Sequence, residues 1–280
     1  MIDSDSESFP VSLEMISDPP RHIYCRGDIC LLNTRAVAIV GSRKCTDYGR
    51  WVAHTLAEQI AANGITVVSG MAEGIDSSAH EGALKAGGNT IAVLANGADI
   101  CYPRSNSNLY AQIIRRGLIV SEYTDGTKAE RYTFPQRNRI ISGLCEVTVV
   151  VEAGLKSGSL ITADFAANQG RDVFAVPGNM NRNNSFGCNK LISDGANILV
   201  SMDDILAHMG VDIKCTEQNY DQLSELERKV TSTIRSHSEI TVDALSEIMN
   251  KPVSLMLGII TVLEMKGFVK TASGKIFIEK

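Results

Sequence analysis

The sequence predicts an α/β protein: an extended Rossmann-like core with a mostly parallel sheet and helices on both faces, plus a small C-terminal winged-helix domain. Three observations carry this. Between residues 36 and 200, short apolar runs alternate with helical patterns, the order that calls for strands joined by crossover helices. Those runs are apolar at successive positions, as in strands buried on both faces. From about residue 218 the pattern changes to three short amphipathic helices and a hairpin, the outline of a winged helix.

The core elements follow in order. AVAIV at 36–40 precedes a helix over 48–62, ITVVS a helix over 76–86, and TIAVLA a helix over 107–115. LIVSE, a helix over 137–143, EVTVVVEA, a helix over 159–169, DVFAVPG and a short helix near 189–194 complete the series. Residues 1–35 form a lead-in, 36–210 the core, 211–217 a linker and 218–280 the second domain. Within the last, helices are expected near 222–236, 241–249 and 252–266, with Ser273-Gly274 at the hairpin tip.

A chain of 280 residues, 44% of them hydrophobic, is long enough for a substantial core. Its apolar runs are strand-length, and its first residues, MIDSDSESF, are acidic and polar, unlike a signal peptide. A cytoplasmic protein without membrane contact is expected. The seven cysteines are odd in number and show neither C-x-x-C pairs nor zinc spacing with the five histidines. Reduced thiols follow, with no metal and no cofactor implied. The net charge of −5 is unevenly spread: residues 36–200 carry 15 Lys/Arg against 14 Asp/Glu, and the acidic excess sits in 1–35 and 201–217. A broad duplex-wrapping footprint is absent, while a local basic pocket is compatible with the core.

A parallel sheet delivers the loops after its strands to one edge, where open α/β sheets bind ligands. Gly41-Ser42-Arg43 follows the first strand and is expected to feed a helix N-terminus, a setting that favours an anion. The spacing G-x-G-x-x-G is missing, so a plain strand-to-helix turn is the alternative. Lys156, Ser157, Gly158 and Ser159 form a second loop-to-helix turn with backbone and hydroxyl donors, Ser159 being otherwise a simple N-cap. In ERYTFPQRNRII, Arg131, Arg137 and Arg139 lie beside Tyr132 and Phe134, suited to phosphates and to a stacked base. The competing reading makes Phe134 and Ile140 core residues and leaves the arginines solvated or paired with Glu130 and Glu146. Asp76 and His80, four apart at a helix start, are explained by Asp76 as an N-cap. Glu73, Glu122 and Glu152 lack a nucleophile or metal partner, so no catalytic constellation emerges.

In order, GSR, SGMAEGIDSSAH, YPRSNSNLY, SEYTDGT, FPQRNRIISGL, VVVEAGLKSGSLITA and GRDVFAVPGN resemble the motifs of the bacterial DNA-processing protein A family (DprA/Smf) from about Phe9 to Met209. Residues 218–280 resemble the winged-helix module that many members carry. The resemblance implies a homodimer that binds and protects single-stranded DNA and loads the RecA recombinase during natural transformation. By the same resemblance, Arg43 of the GSR motif contacts a DNA phosphate, and Phe134, Arg137, Asn138 and Arg139 of F-P-x-R-N-R complete a basic pocket with Lys156. Lys128 and Arg131 fall where the family pattern is loose. The core also resembles lysine-decarboxylase-like nucleotide phosphoribohydrolases, which share the first loop, but Thr162 stands where their P-G-G-x-G-T-x-x-E pattern has its glutamate. A non-enzymatic role is therefore expected. In the winged helix, Lys251 and Lys275 are placed to touch duplex DNA, and balanced charge leaves a protein contact open.

Overall fold

The computed structural model describes residues 1–6, 8–211, 223–237, 240–272 and 274–278. The expected linker beyond residue 211, Cys215 and the turn residue Ser273 lie outside these. Contacts divide the chain into two compact units, Met1–Ile213 and Lys214–Lys280.

The first unit opens with β1 (Ile2–Asp3), α1 (Val11–Glu14) and β2 (His22–Gly27), followed by a 3-10 turn over Ile29–Asn33. The alternating series then runs β3 (Ala36–Val40), α2 (Asp47–Ala62), β4 (Thr66–Ser69), α3 (Ile75–Lys85), β5 (Thr90–Leu94), α4 (Ser107–Arg116) and β6 (Leu118–Ser121). It continues with α5 (Thr133–Gly143), β7 (Val147–Val150), α6 (Gly158–Asn168), β8 (Asp172–Ala175), α7 (Phe186–Ser193), β9 (Asn197–Ile198) and α8 (Asp204–His208). The strands lie in the order β1-β2-β6-β5-β4-β3-β7-β8-β9. From β6 to β9 every neighbour is parallel, and β2 and β1 add antiparallel at the β6 edge.

All five residues of β3 are buried, and they alternate between two cores. Ala36, Ala38 and Val40 pack with α1, α5 and α6, whereas Val37 and Ile39 pack with α2, α3 and α8. Helix α2 starts where the Thr46 hydroxyl accepts from the Gly49 N–H at 3.1 Å, and buries the stripe Val52, Ala53, Leu56, Ala57 and Ile60. Its packing on α3 is close enough that a Cβ on Gly82 would lie 2.1 Å from the His54 carbonyl. The lead-in packs beside α5: Leu13 and Ile16 are buried, and a Cβ on Gly143 would lie 2.9 Å from Leu13 Cδ2. Asp18 accepts from Arg139 Nε at 2.8 Å, and the Ser12 carbonyl accepts from Arg171.

Three boundaries differ from expectation for physical reasons. Helix α5 begins at Thr133, ahead of Pro135, because first-turn amides have no intrahelical partner and a proline there costs nothing. Strands β1 and β2 arise in the polar lead-in, since an antiparallel edge strand needs only one apolar face. The 189–194 helix extends back to Phe186. Six cysteines among the described residues are free thiols; Cys45, Cys145 and Cys188 are buried, and Cys30 is exposed. No single helix among the described residues is long and apolar enough to cross a membrane.

The second unit comprises α9 (Glu225–His237), β10 (Ile240–Thr241), α10 (Val242–Met249), α11 (Val253–Met265), β11 (Val269–Ala272) and β12 (Lys275–Ile278). Its sheet order, β10-β12-β11, with three helices before the hairpin, is the winged-helix arrangement. Thr241 caps α10 through the Ala244 N–H, and Asn250 closes that helix in the left-handed conformation, φ 48°. Val230, Ile234, Leu245, Met256, Ile260, Leu263 and Ile276 form its core.

Candidate nucleic-acid interface

The strand order reverses once. From β3 the chain proceeds through β4 and β5 to β6 on one side, then crosses to β7, β8 and β9 on the other. Beyond the ends of β3 and β7 the connections diverge, which defines the switch point where open α/β sheets bind ligands.

The loop after β3 carries Gly41, Ser42 and Arg43 and does not feed α2 directly. Residues 44–46 intervene, because Thr46 is the cap of that helix. Several bonds hold the loop: Ser42 N–H donates to the Glu152 carbonyl at 2.7 Å and accepts, through its own carbonyl, from Ile75 N–H at 3.3 Å. The buried Glu152 carboxylate accepts from Thr46 N–H at 2.9 Å, from the Thr46 hydroxyl and from Asn184 Nδ2. Gly74 closes the arrangement at φ +83°, where a Cβ would lie 2.5 Å from the Ser42 carbonyl oxygen. Both the conformation and the space require glycine there.

Arg43 is exposed, and its guanidinium carbon stands 5.1 Å from the Phe134 ring centroid. Phe134 is half-buried and packs on Tyr102, with ring centroids 5.7 Å apart and planes tilted by 51°. Tyr102 is 46% exposed, so the aromatic surface continues beyond Phe134. Sequence reasoning gave Tyr102 no role; its available signal was an aromatic side chain in a polar loop at the same sheet edge. Lys44, Tyr132, Lys128 and Arg131 are also exposed.

The two later arginines of the α5 motif turn into the fold and away from solvent. Arg137 is 5% exposed; its Nη1 donates to the carbonyls of Gly70, at 2.8 Å, and Val93, and its Nε to Asn138 Oδ1 at 3.2 Å, which holds the guanidinium against the ends of β4 and β5. Burial pulls its pKa down to about 10, opposed by nearby Asp76. Arg139 forms a bidentate pair with Glu122, at 2.7 and 2.9 Å, and a third bond to Asp18. Neither presents a free cation to a phosphate; Arg139 pairs with carboxylates other than Glu130 and Glu146. Asn138, also buried, donates to the Gly158 carbonyl at 3.2 Å and ties α5 to the start of α6. At that start Ser157, not Ser159, occupies the cap position and makes no side-chain capping bond. The Ser157 and Ser159 hydroxyls bond each other at 2.8 Å, with Ser159 buried and Lys156 and Gly158 exposed.

The structure thus brings the GSR loop, Phe134 and the 156–159 turn together through Arg43–Phe134, Ser42–Glu152 and Asn138–Gly158. The carboxylates around them have internal tasks. Asp76 is the second residue of α3, and its carboxylate accepts from the N–H groups of Gly70 and Ala72 instead of capping the helix. Burial raises its pKa, and Arg137 opposes the shift. His80 Nδ1 lies 2.7 Å from the Thr90 hydroxyl; burial pulls its pKa down to about 3, leaving a neutral ring. Glu73 accepts from the Ser105 hydroxyl. No group of three or more His, Cys, Asp or Glu side chains suited to a metal occurs among the described residues.

Fold and site define a Rossmann-like α/β protein whose switch-point crevice combines exposed cations, a helix start and an aromatic surface. The chain belongs to the DNA recombination-mediator protein A family, whose sequence profile matches residues 1–210. It is 42% identical over 201 residues to the DNA processing protein DprA of Streptococcus pneumoniae, covering 72% of this chain and 71% of that one. It is 43% identical over 205 residues to DprA of Bacillus subtilis, covering 73% and 69%. The solved S. pneumoniae structure superposes with a TM-score of 0.71 at 41% identity, over 74% of this chain and 72% of that one. A Helicobacter pylori DNA processing protein A, described for its single-stranded DNA binding mode, gives a TM-score of 0.68 at 34% identity, over 73% and 94%.

Proposed function

We propose that this protein binds single-stranded DNA across the switch-point crevice, protects it, and as a homodimer hands it to the RecA recombinase in natural transformation. The observation that carries the DNA reading is the exposed Arg43 guanidinium over the Phe134 ring. A backbone phosphate sits against Arg43, Lys44, Lys156 and the amides of Gly158 and Ser159, while bases stack on the Phe134–Tyr102 surface. Phosphate pairing plus stacking on π-faces holds a strand without reading its sequence. Arg137, Asn138 and Arg139 act as positioning residues behind this surface. The H. pylori relative, described as binding single-stranded DNA, supports the reading.

A binding role is favoured over nucleotide hydrolysis by the task each nearby carboxylate already has. Thr162, at the position of the hydrolase glutamate, is 1% exposed on α6, and Glu152 is committed to Thr46 and Asn184. Neither position therefore offers an acid/base group to a ribose among the described residues.

The test is fluorescence anisotropy with matched single-stranded and duplex oligonucleotides across a salt series, with nucleoside monophosphates as competitors. The single strand is expected to bind preferentially. Three exposed cations give log K a slope of about −2 against log salt, and Arg43→Ala makes it shallower by about 0.7. Effective competition by a monophosphate, with no oligonucleotide preference, would move the enzyme reading to first place.

A further inference from the structure

Tryptophan is highly buried on average, because its large ring gains much from leaving water. The one tryptophan of this sequence stays outside. Trp51 lies on α2, 50% exposed, and Tyr48, three positions earlier and 56% exposed, is its ring neighbour, with centroids 6.1 Å apart and planes tilted by 32°. Neither belongs to the buried stripe: Gly49, Val52, Ala53 and Leu56 carry the packing of the helix, and the two rings project from its other side. The stability of α2 gives no reason for a pair of exposed aromatics there.

Their place in the fold does. Because α2 follows β3, its first turns stand at the carboxyl edge of the sheet, the edge that carries the crevice. Tyr48 comes five positions after Arg43, which limits their Cα separation to about 18 Å, the reach of a few nucleotides. The chain between them is held: Asn184 Nδ2 donates to the Lys44 carbonyl at 2.8 Å, and a Cβ on Gly49 would lie 2.6 Å from the Glu152 carboxyl carbon. Lys44 and Arg50 flank the rings and are exposed. The carboxylates nearby are offset, since Asp47 meets Arg50 at 3.4 Å and Glu58 meets Lys85 at 3.0 Å. We propose that Tyr48 and Trp51 form a second base-stacking platform, which takes the bases of a single strand as it leaves the Arg43–Phe134 surface; this rests on the single-strand reading above. A single strand needs cations for its phosphates and π-faces for its bases, and this turn offers both in continuity with the first platform. A protein partner is matched less well, because the rings stand among charges and not within a contiguous apolar patch. Two platforms on one path hold a strand at two points, so a strand long enough for both binds more tightly than one that reaches only the first.

As the lone tryptophan, Trp51 is its own probe in the full chain. Its emission is followed during titration with oligothymidylates of about 4 to 16 nucleotides, alongside anisotropy of the same strands carrying a label. The longer strands are expected to quench the emission and the shortest to leave it unchanged. Trp51→Ala is expected to weaken binding of the longer strands about tenfold, while the affinity of the shortest strand and the salt slope stay near wild type. Trp51→Phe, which keeps a ring face, is expected to restore most of that loss. Both variants should melt at the wild-type temperature, as substitutions at an exposed position do. Strands that bind by anisotropy, with Trp51 emission unmoved and Trp51→Ala equal to wild type at every length, overturn the proposal and leave the Arg43–Phe134 surface in place. Absence of single-strand binding at every length overturns both. A smaller assembly of folded Trp51→Ala in sedimentation, with DNA affinity unchanged, also overturns it and makes the pair a protein contact.

Discussion

Arg43 projects into solvent over an aromatic ring, whereas Arg137, on the same helix as Phe134, is buried and donates from Nη1 to two main-chain carbonyls. Replacing each by alanine separates the two tasks. Arg43→Ala is expected to weaken single-strand binding about tenfold with no change in melting temperature, as a phosphate contact should. Arg137→Ala strands two buried carbonyls and the Asp76 carboxylate, and is expected to cost about 3 kcal/mol in denaturant unfolding. His80 adds a pH signature. Its folded pKa, about 3, lies below the ordinary histidine value of 6.5, so the unfolded chain takes up the proton first. Stability is complete above pH 6.5 and falls on acidification, by about 2 kcal/mol at pH 5; His80→Gln is expected to flatten that part of the profile. The motif arginines were legible in the sequence, but not their directions. Arginine type suggests solvent or phosphate, and only the carbonyls at the ends of β4 and β5 and the carboxylates of Glu122 and Asp18 turn them inward.

At the scale of elements, the parallel strands were readable because burial on both faces leaves an unbroken apolar run, as in AVAIV. The loops were readable only as a shared edge. Nothing in GSRKCT announces that Glu152, 106 residues from Thr46, holds the turn together. Glu152→Ala removes the acceptor for the Thr46 amide and hydroxyl while touching no DNA. It is expected to weaken single-strand binding severalfold by loosening the loop that carries Arg43. The salt slope should stay near that of wild type, because the cations are still present. An unchanged affinity in a folded variant would mean that the loop holds its shape without this carboxylate. Tyr102 was missed for the same reason: its closeness to Phe134 depends on β5 and α5 converging, which local sequence does not encode.

For the whole molecule, the lead-in is part of the scaffold of the site. Ser12, Leu13, Ile16 and Asp18 reach Arg171, Gly143 and Arg139, and Arg139 lies two residues from Arg137 on α5. If α5 is ordered by DNA on Phe134, the lead-in is ordered with it. The coupling runs both ways, since a ligand at one site and order at another change each other's free energy by the same amount. Saturating single-stranded DNA is expected to slow proteolytic cleavage within residues 1–20, and Asp18→Ala to reduce both that protection and the affinity. Docking of Leu13, Ile16 and Asp18 is thereby expected to act as a tension setting for the crevice: a change that releases that segment lowers how tightly the strand is held, without touching a nucleotide.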